Sequence, residues 1–412
     1  MNTTRSSGGT VVGRLVSILA FGHIPKFKGG RQQSGLANVM WALATHMGGG
    51  ENGATVTFCA TDVYVERKEI DGITVLGWTL RSLLWAILRH PLHFLRLQAR
   101  LTRACRIYSE PVVRTSLKAH LLRSIIVRLQ PDYVHLHGCH SVIFLASGIV
   151  EAGLTVVTIH GIFGAKGPKR LALMEAALTQ ERLKLMVFVS SDVKKDWEIN
   201  FGAPLAPSAV VLNAYDSLSF YAPQTPPQMK GGVKKTYHLM TVGNVSENKG
   251  QLRVVDALIQ LSALGVPYDI RYTMVGESMP IGFADRILKR ASDGGVSVDY
   301  HHYLSPKDIR TLLWSADFMI LASENEGFGL VFLESIACGT PVVLPRTLPI
   351  CHEAELISSH NAFLLQSHKV DAILAFLREL PEQRFVDADV AASCSGFTWK
   401  TAATQYLELL KD

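Results

Sequence analysis

Nowhere in the 412 residues do two cysteines form a C-x-x-C pair, and none of the six (Cys59, Cys105, Cys139, Cys338, Cys351 and Cys394) has zinc-site spacing. This argues against a redox dithiol or a structural zinc and suits free thiols in a reducing cytosol. No run of about 18 apolar residues occurs, so no spanning helix is expected. Met1 to Gly13 is polar and Gly-rich, without the apolar core of a signal peptide. Charged residues are scarce, at 18%, which argues against long disordered segments. Internal repeats and low-complexity tracts are absent.

What is present is apolar mass. At 48% apolar, the chain can build two compact domains, each with its own core. The net charge of +6 is concentrated in one place. Arg81 to Arg128 holds ten Lys/Arg against one acidic residue, Glu110, so that segment carries +9 and the remainder −3.

Short apolar runs alternate with amphipathic segments, the pattern of parallel sheets with crossover helices. It predicts strands at Val16–Phe21, Thr55–Cys59, Thr74–Leu76, Tyr133–Leu136, Thr155–Ile159, Met186–Ser190 and Ala209–Leu212, with helices at Ser34–His46 and Leu117–Leu129. Ala222–Thr236 is rich in Pro, Gly and Lys and reads as a linker. The pattern then restarts. Strands are expected at Tyr237–Val242, Ile270–Val275, Val298–His301, Phe318–Ala322 and Pro341–Leu344. Helices are expected at Gln251–Ala263, Phe283–Ala291, Lys307–Ala316 and Leu330–Cys338, the last closed by Gly339. Two such domains leave a cleft between the carboxyl ends of their strands, where ligands sit in this architecture.

The chemistry concentrates at Glu326-Gly327-Phe328-Gly329-Leu330-Val331-Phe332-Leu333-Glu334. Gly327 and Gly329 permit a tight turn and close ligand approach. A helix then begins, and its free N–H groups form an anion site suited to a diphosphate. Glu334, about one turn inside, could accept two hydrogen bonds from a ribose diol. The competing reading is a solvated glutamate favoured by the helix dipole.

This Glu-x7-Glu run, followed by Ser335-Ile336-Ala337-Cys338-Gly339-Thr340-Pro341-Val342-Val343, resembles the donor-binding segment of the retaining GT-B glycosyltransferases of family 4. The resemblance implies an α/β fold of two doubly wound Rossmann-like domains facing across a cleft, with the C-terminal helix crossing back to the first. By position it implies an acceptor domain over 1–222, a linker over 223–236, a donor domain over 237–394 and a returning helix over 395–412. It further implies that Glu326 contacts the donor sugar, Glu334 binds the ribose, and the amides of Gly329, Leu330 and Val331 hold the diphosphate.

Other segments resemble the family in the same order. Val242-Gly243-Asn244-Val245-Ser246-Glu247-Asn248-Lys249-Gly250 resembles its first donor-domain loop, so Gly243, Asn244 and Lys249 fall to the donor. Lys249 would neutralise the leaving phosphate. Asn244 stands where the family often has Arg and brings no charge. His160, ending Val156-Val157-Thr158-Ile159-His160, resembles the family histidine near the reacting sugar. Lys26-Phe27-Lys28-Gly29-Gly30 resembles the first loop, which reaches donor phosphates and acceptor through Gly29 and Gly30. Val211-Leu212-Asn213-Ala214-Tyr215-Asp216 resembles the hinge turn, with Ala214 replacing Gly. Glu355 fits the next loop, and Phe397-Thr398-Trp399 opens the terminal helix. His135, His137 and His140 are close enough to suggest a metal site, but Tyr133–Gly138 alternates like a strand and the family needs no metal or other cofactor.

The implied reaction moves a sugar from a UDP- or GDP-sugar to an acceptor hydroxyl with retention, on a glycan or glycolipid precursor, with no nucleic-acid partner. The basic segment fits this through Leu92–Tyr108. There Arg96, Arg100 and Arg103 share one face of a helix, and Phe94, Leu97, Leu101, Ala104 and Tyr108 the other. Within 79–108 such a helix either lies on an anionic membrane surface, at the inner face of a cytoplasmic location, or packs on the sheet with a solvated basic face. Competing functions are a sugar-nucleotide epimerase or phosphorylase on the same fold, a glycosidase using Glu326 and Glu334, and an inactive scaffold partner of a transferase. The glycosidase reading is opposed by the two carboxylates lying on one local segment.

Overall fold

The computed structural model describes residues 16–30, 35–48, 54–60, 67–77, 91–108, 111–138, 141–161, 178, 182–224, 228–233, 235–353 and 356–411. The expected residues Cys139, His140 and Glu355 lie outside these.

The first sheet has eight strands: β1 (Val16–Gly22), β2 (Ala54–Ala60), β3 (Lys68–Ile70), β4 (Ile73–Leu76), β5 (Tyr133–His137), β6 (Thr155–Ile159), β7 (Leu185–Phe188) and β8 (Ser208–Val210). Their order is β3-β4-β2-β1-β5-β6-β7-β8, parallel throughout except for the β3–β4 hairpin. All of β6 and β7 is buried, as continuous apolar runs covered on both faces must be. A short strand, β9 (Met229–Gly231), precedes the second sheet. That sheet comprises β10 (Thr236–Val242), β11 (Asp269–Val275), β12 (Val298–His301), β13 (Phe318–Ile320), β14 (Val342–Pro345) and β15 (Ala362–Leu365). Its order is β12-β11-β10-β13-β14-β15, all parallel.

In each sheet the strand order reverses once, beside β1 in the first and beside β10 in the second. At such a reversal the flanking crossover helices lie on opposite faces, which opens a crevice at the strand ends. The loops after β10 and β13 meet at the second reversal, and these carry Lys249 and Glu326.

The expected linker over 223–236 needs correction. Its β9 pairs antiparallel with β16 (Arg384–Val386), so the chain joins the second domain several residues before β10. Three residues are too few for a periodic signal, and their partner lies far along the chain. The strand expected at Met186–Ser190 is shorter, because Ser190 leaves the ladder to cap a helix.

Five helices bear on the site: α1 (Gly35–Met47), α2 (Pro91–Tyr108), α3 (Ser191–Phe201), α4 (Leu330–Ala337) and α5 (Trp399–Lys411). The chain returns to the first domain at Thr398, which bridges Tyr215. Tyr215 N donates to Phe397 O at 3.1 Å and Trp399 N to Tyr215 O at 3.3 Å, so the two crossing segments run side by side. Helix α5 then buries Trp399, Ala402, Ala403, Tyr406, Leu407 and Leu410 in one core with α1, β1 and β2.

In α2, Leu97, Leu101, Ala104 and Cys105 are buried in the domain core, while Arg96, Arg100, Arg103 and Arg106 are exposed. Of the apolar face, Leu97, Leu101 and Ala104 are thus covered by protein, which fits the packed one of the two readings of this helix. Among the described residues no helix is long and apolar enough to cross a membrane.

Candidate active site

A cavity of about 760 Å³ lies between the carboxyl edges of the two sheets. The first domain supplies Phe27, Lys28, the α1 face, His160 and Asn213. The second supplies Gly243, Asn244, Lys249 and the run Glu326–Val331 with Glu334.

The second-domain wall consists of two loops fastened together. Gly250 adopts φ +79, and a Cβ there would sit 2.4 Å from Ala322 O, so the β10 loop can lie directly on the end of the β13 segment. Asn248 Nδ2 donates to Asn325 O at 2.9 Å, and Glu324 N donates to Asn248 O at 2.9 Å. Arg253 reaches back to Ala322 O at 2.9 Å and pairs with Glu324 at 3.0 Å. Across this seam Lys249 Nζ donates to Glu326 Oε1 at 2.5 Å, and the Ser323 hydroxyl donates to the same oxygen at 2.6 Å. Glu326 is 9% exposed and Lys249 21%.

Gly329 begins α4 at φ +87, where a Cβ would lie 2.6 Å from the Phe332 ring. Only glycine makes this turn without strain, and it leaves the first N–H groups of α4, at Leu330 and Val331, without intrahelical acceptors beside the cavity. Glu334 faces the same space. Its carboxylate has no hydrogen-bond partner among the described residues. Burial pushes it from 4.5 up to about 7, and the Asp216 carboxylate adds to that rise. Asp216 is held by Leu218 N at 3.0 Å and the Ser219 hydroxyl at 2.5 Å.

Asn244 is exposed at the cavity wall, and its carbonyl accepts from Gln251 Nε2 at 3.0 Å. Opposite, His160 directly follows β6 and contacts His137 across 3.1 Å. Burial lowers His160 to about 4, so its ring is neutral at neutral pH. Gly29 and Gly30 are placed differently from the expectation. They close a tight turn, with Gly29 N donating to Lys26 O and Gly30 N to Pro25 O, and it is Phe27 and Lys28 just before them that line the cavity. Lys26 reaches over the cleft to the Tyr303 ring at 4.7 Å. Among the described residues no group of three or more His, Cys, Asp and Glu is placed to hold a metal ion.

Several neighbours of the cavity have no motif of their own: Arg253, Ser323 and Tyr303 near the second-domain wall, and Glu353 between the domains. Glu353 Oε1 accepts from Ser191 N at 2.6 Å and Oε2 from the Ser191 hydroxyl at 3.1 Å. Arg253 lies in the first turn of the helix that follows Lys249, the single local cue to its place.

Comparison with known proteins bears on this geometry. Residues 227–391 match the family described as glycosyl transferases group 1. The GDP-mannose-dependent alpha-(1-6)-phosphatidylinositol dimannoside mannosyltransferase of Mycobacterium tuberculosis is 31% identical over 175 residues, covering 42% of this chain and 43% of that protein. The D-inositol 3-phosphate glycosyltransferase of an Arthrobacter species is 28% identical over 177 residues, 42% of each. The chain thus spans less than half the length of these curated relatives. Among solved structures, sucrose-phosphate synthase from Thermosynechococcus elongatus superposes with a TM-score of 0.68 at 14% identity, over 96% of this chain and 98% of that one. A glycosyltransferase from Rickettsia africae gives 0.66 at 16%, over 96% and 98%. At these identities the likeness is one of fold, and that fold is the GT-B arrangement.

Proposed function

We propose, from the match of residues 227–391 to the family described as glycosyl transferases group 1, that the chain is a retaining glycosyltransferase of family 4, using a UDP- or GDP-sugar donor. The observation that carries this reading is the convergence on one cavity of a lysine, an open helix start and an unpartnered carboxylate, with a neutral histidine facing them from the other domain. Each answers one part of a nucleotide sugar. The α4 amides and Lys249 meet the diphosphate, Glu334 the ribose hydroxyls, Glu326 the sugar, and His160 the reacting end.

In the proposed step the acceptor oxygen bonds to the anomeric carbon on the face from which the phosphate oxygen leaves. The acceptor proton passes to that departing oxygen. Lys249 and the α4 amides stabilise the charge that develops on the diphosphate, which is the role a metal ion would otherwise fill, and we propose that none is needed. Lys249 starts out bonded to Glu326, so donor binding must draw the ammonium toward phosphate while Glu326 turns its second oxygen to the sugar.

For the acceptor we propose a lipid-linked or cell-surface glycan precursor. The mannosyltransferase relative is named for a phosphatidylinositol acceptor, which supports a lipid. Contact with an anionic membrane would run through the exposed arginines of α2. A cytoplasmic site of action is part of the same proposal.

The test is a thermal-shift panel of UDP-, GDP- and ADP-sugars, followed by transfer assays with the donor that binds. A stabilising nucleotide sugar, with transfer lost in Lys249→Ala, is the expected result. Absence of any stabilising nucleotide sugar sinks the reading.

A further inference from the structure

Behind His160 lies a set of buried polar side chains that the proposed reaction does not use. β5 and β6 run parallel with His137 opposite Thr158. Alternation therefore sets His135 and His137 on one face of β5, opposite Thr158 of β6, and His160 follows directly after the last residue of β6. His137 Nδ1 is 3.1 Å from His160 Nε2. The His135 ring lies against His137, with centroids 4.2 Å apart. His135 Nε2 is 2.8 Å from Thr158 Oγ1, which is 2.9 Å from Tyr406 OH. Tyr406 belongs to α5 and arrives from the far end of the chain.

His135, His137, Thr158 and Tyr406 are all less than 9% exposed. Burying polar groups costs free energy unless they are bonded, and an aliphatic face would suffice for packing, as Val156 and Val187 supply in the same core. Burial also keeps all three imidazoles neutral at neutral pH. A neutral imidazole has one donor nitrogen and one acceptor nitrogen. The contact with His137 therefore commits His160 Nε2 to one role and Nδ1 to the other.

We infer that His137 is a positioning residue that fixes the ring plane and tautomer of His160 in the cleft, and that Tyr406 on the returning helix buttresses it through Thr158 and the adjoining His135 ring. The inference rests on reading His160 as the group beside the reacting sugar. It assigns α5 a task at the site as well as in the core. A side chain held loosely by about 1 Å can cost about 100-fold in rate.

Three variants at one position test this. Asparagine places its amide near the position of Nδ1, glutamine near that of Nε2, and leucine offers neither. His137→Leu is expected to lower kcat about ten- to hundredfold, with donor KM within about twofold of the parent protein. His137→Asn is expected to recover much of the loss and His137→Gln little of it. Tyr406→Phe, which keeps the ring and removes the hydroxyl, is expected to lower kcat by a few-fold at unchanged KM. Equal activity of the leucine and asparagine variants overturns the proposal, as does loss of kcat and donor binding together in the asparagine variant. A second readout needs no turnover. In protein carrying nitrogen-15 histidine, NMR correlations of the ring nitrogens should show a single His160 tautomer in the parent and His137→Asn, and a mixture in His137→Leu. An unchanged tautomer in His137→Leu overturns the proposal even if the chain transfers no sugar. A clean tautomer result without transfer in the parent protein counts against the glycosyltransfer reading alone.

Discussion

Lys249 and Glu326 are 77 residues apart in the chain and 2.5 Å apart at the cleft, where one carboxylate oxygen takes both the ammonium and the Ser323 hydroxyl. The pair keeps each group in place before any donor arrives. Lys249→Ala leaves Glu326 nearly buried beside one hydroxyl, and Glu326→Gln keeps the Ser323 bond while discharging the pair. Both are expected to cost about 1–2 kcal/mol of stability, seen as a lower Tm. Transfer should fall further, by about 10²–10³ in kcat for Lys249→Ala. Steady-state kinetics check this, and near-normal turnover in either variant would remove both residues from the proposed mechanism.

That pairing marks the limit of what the sequence reveals. Helix Gln251–Ala263 and strand Val298–His301 have the bounds their periodicity predicts, because a 3.6- or 2-residue repeat is a local property. Glu326, Lys249 and His160 were each legible from a motif, and each lines the cavity. Their mutual contacts were not legible, since a motif fixes position along the chain and only packing brings two loops together. The same holds for β9 and β16, where three residues carry no period, and for Glu353, whose partner Ser191 belongs to the other domain. The amphipathic pattern of α2 is visible in the sequence. A pattern shows that a face will be covered without telling whether lipid or protein covers it.

Glu334 is expected to make donor affinity depend on pH. Its carboxyl is raised to about 7, and only the ionised form accepts from both hydroxyls of a ribose diol, one at each oxygen. Below pH 7 donor binding must therefore expel a proton. Affinity should rise by about tenfold between pH 6 and pH 8 and then level off. The folding term has the opposite sign. A carboxyl whose folded value is raised binds protons more tightly folded than unfolded, so its contribution to stability is present at low pH and lost as pH rises from about 4.5 through about 7. Calorimetric titration with an intact nucleotide sugar, whose diphosphate does not titrate in this range, measures the first effect. Glu334→Gln should flatten it, and a pH dependence that survives in that variant assigns it to another group.

Gly250 and Gly282 provide a matched pair for the fastening of the two loops. Both adopt a left-handed conformation, at φ +79 and +83. A Cβ at Gly282 meets nothing within 4 Å, whereas one at Gly250 lies 2.4 Å from Ala322 O. Gly282→Ala should therefore cost only the left-handed penalty, about 1 kcal/mol. Gly250→Ala should cost about 1–3 kcal/mol more, because backbone has to move. It should also weaken donor binding by shifting Lys249 away from Glu326. Chemical denaturation compares the two, and equal destabilisation would mean that the loops part without cost.

The domains are also clasped by Glu353. Its carboxylate takes the first backbone N–H and the hydroxyl of Ser191, at the start of α3, while the neighbouring His352 Nδ1 lies 2.5 Å from Asp192. An acidic group at a helix N-terminus is favoured by the free amides and the dipole, and here it comes from the opposite domain, so the bond exists only while the domains are together. Glu353→Ala should release the clasp, raising the radius of gyration of the donor-free protein in X-ray scattering and speeding proteolysis of the crossing segment near residues 216–224. Glu353→Gln keeps an acceptor for Ser191 N and should fall between the two. Ser191→Ala removes the hydroxyl alone and should shift the scattering least. If the alanine variant scatters like the parent and is cut no faster, the bonds from Glu353 are incidental to closure. The domain arrangement would then depend on the paired crossing segments at Tyr215 and Thr398, and a Tyr215→Pro variant, which removes the N–H that bonds Phe397 O, would be the one to open.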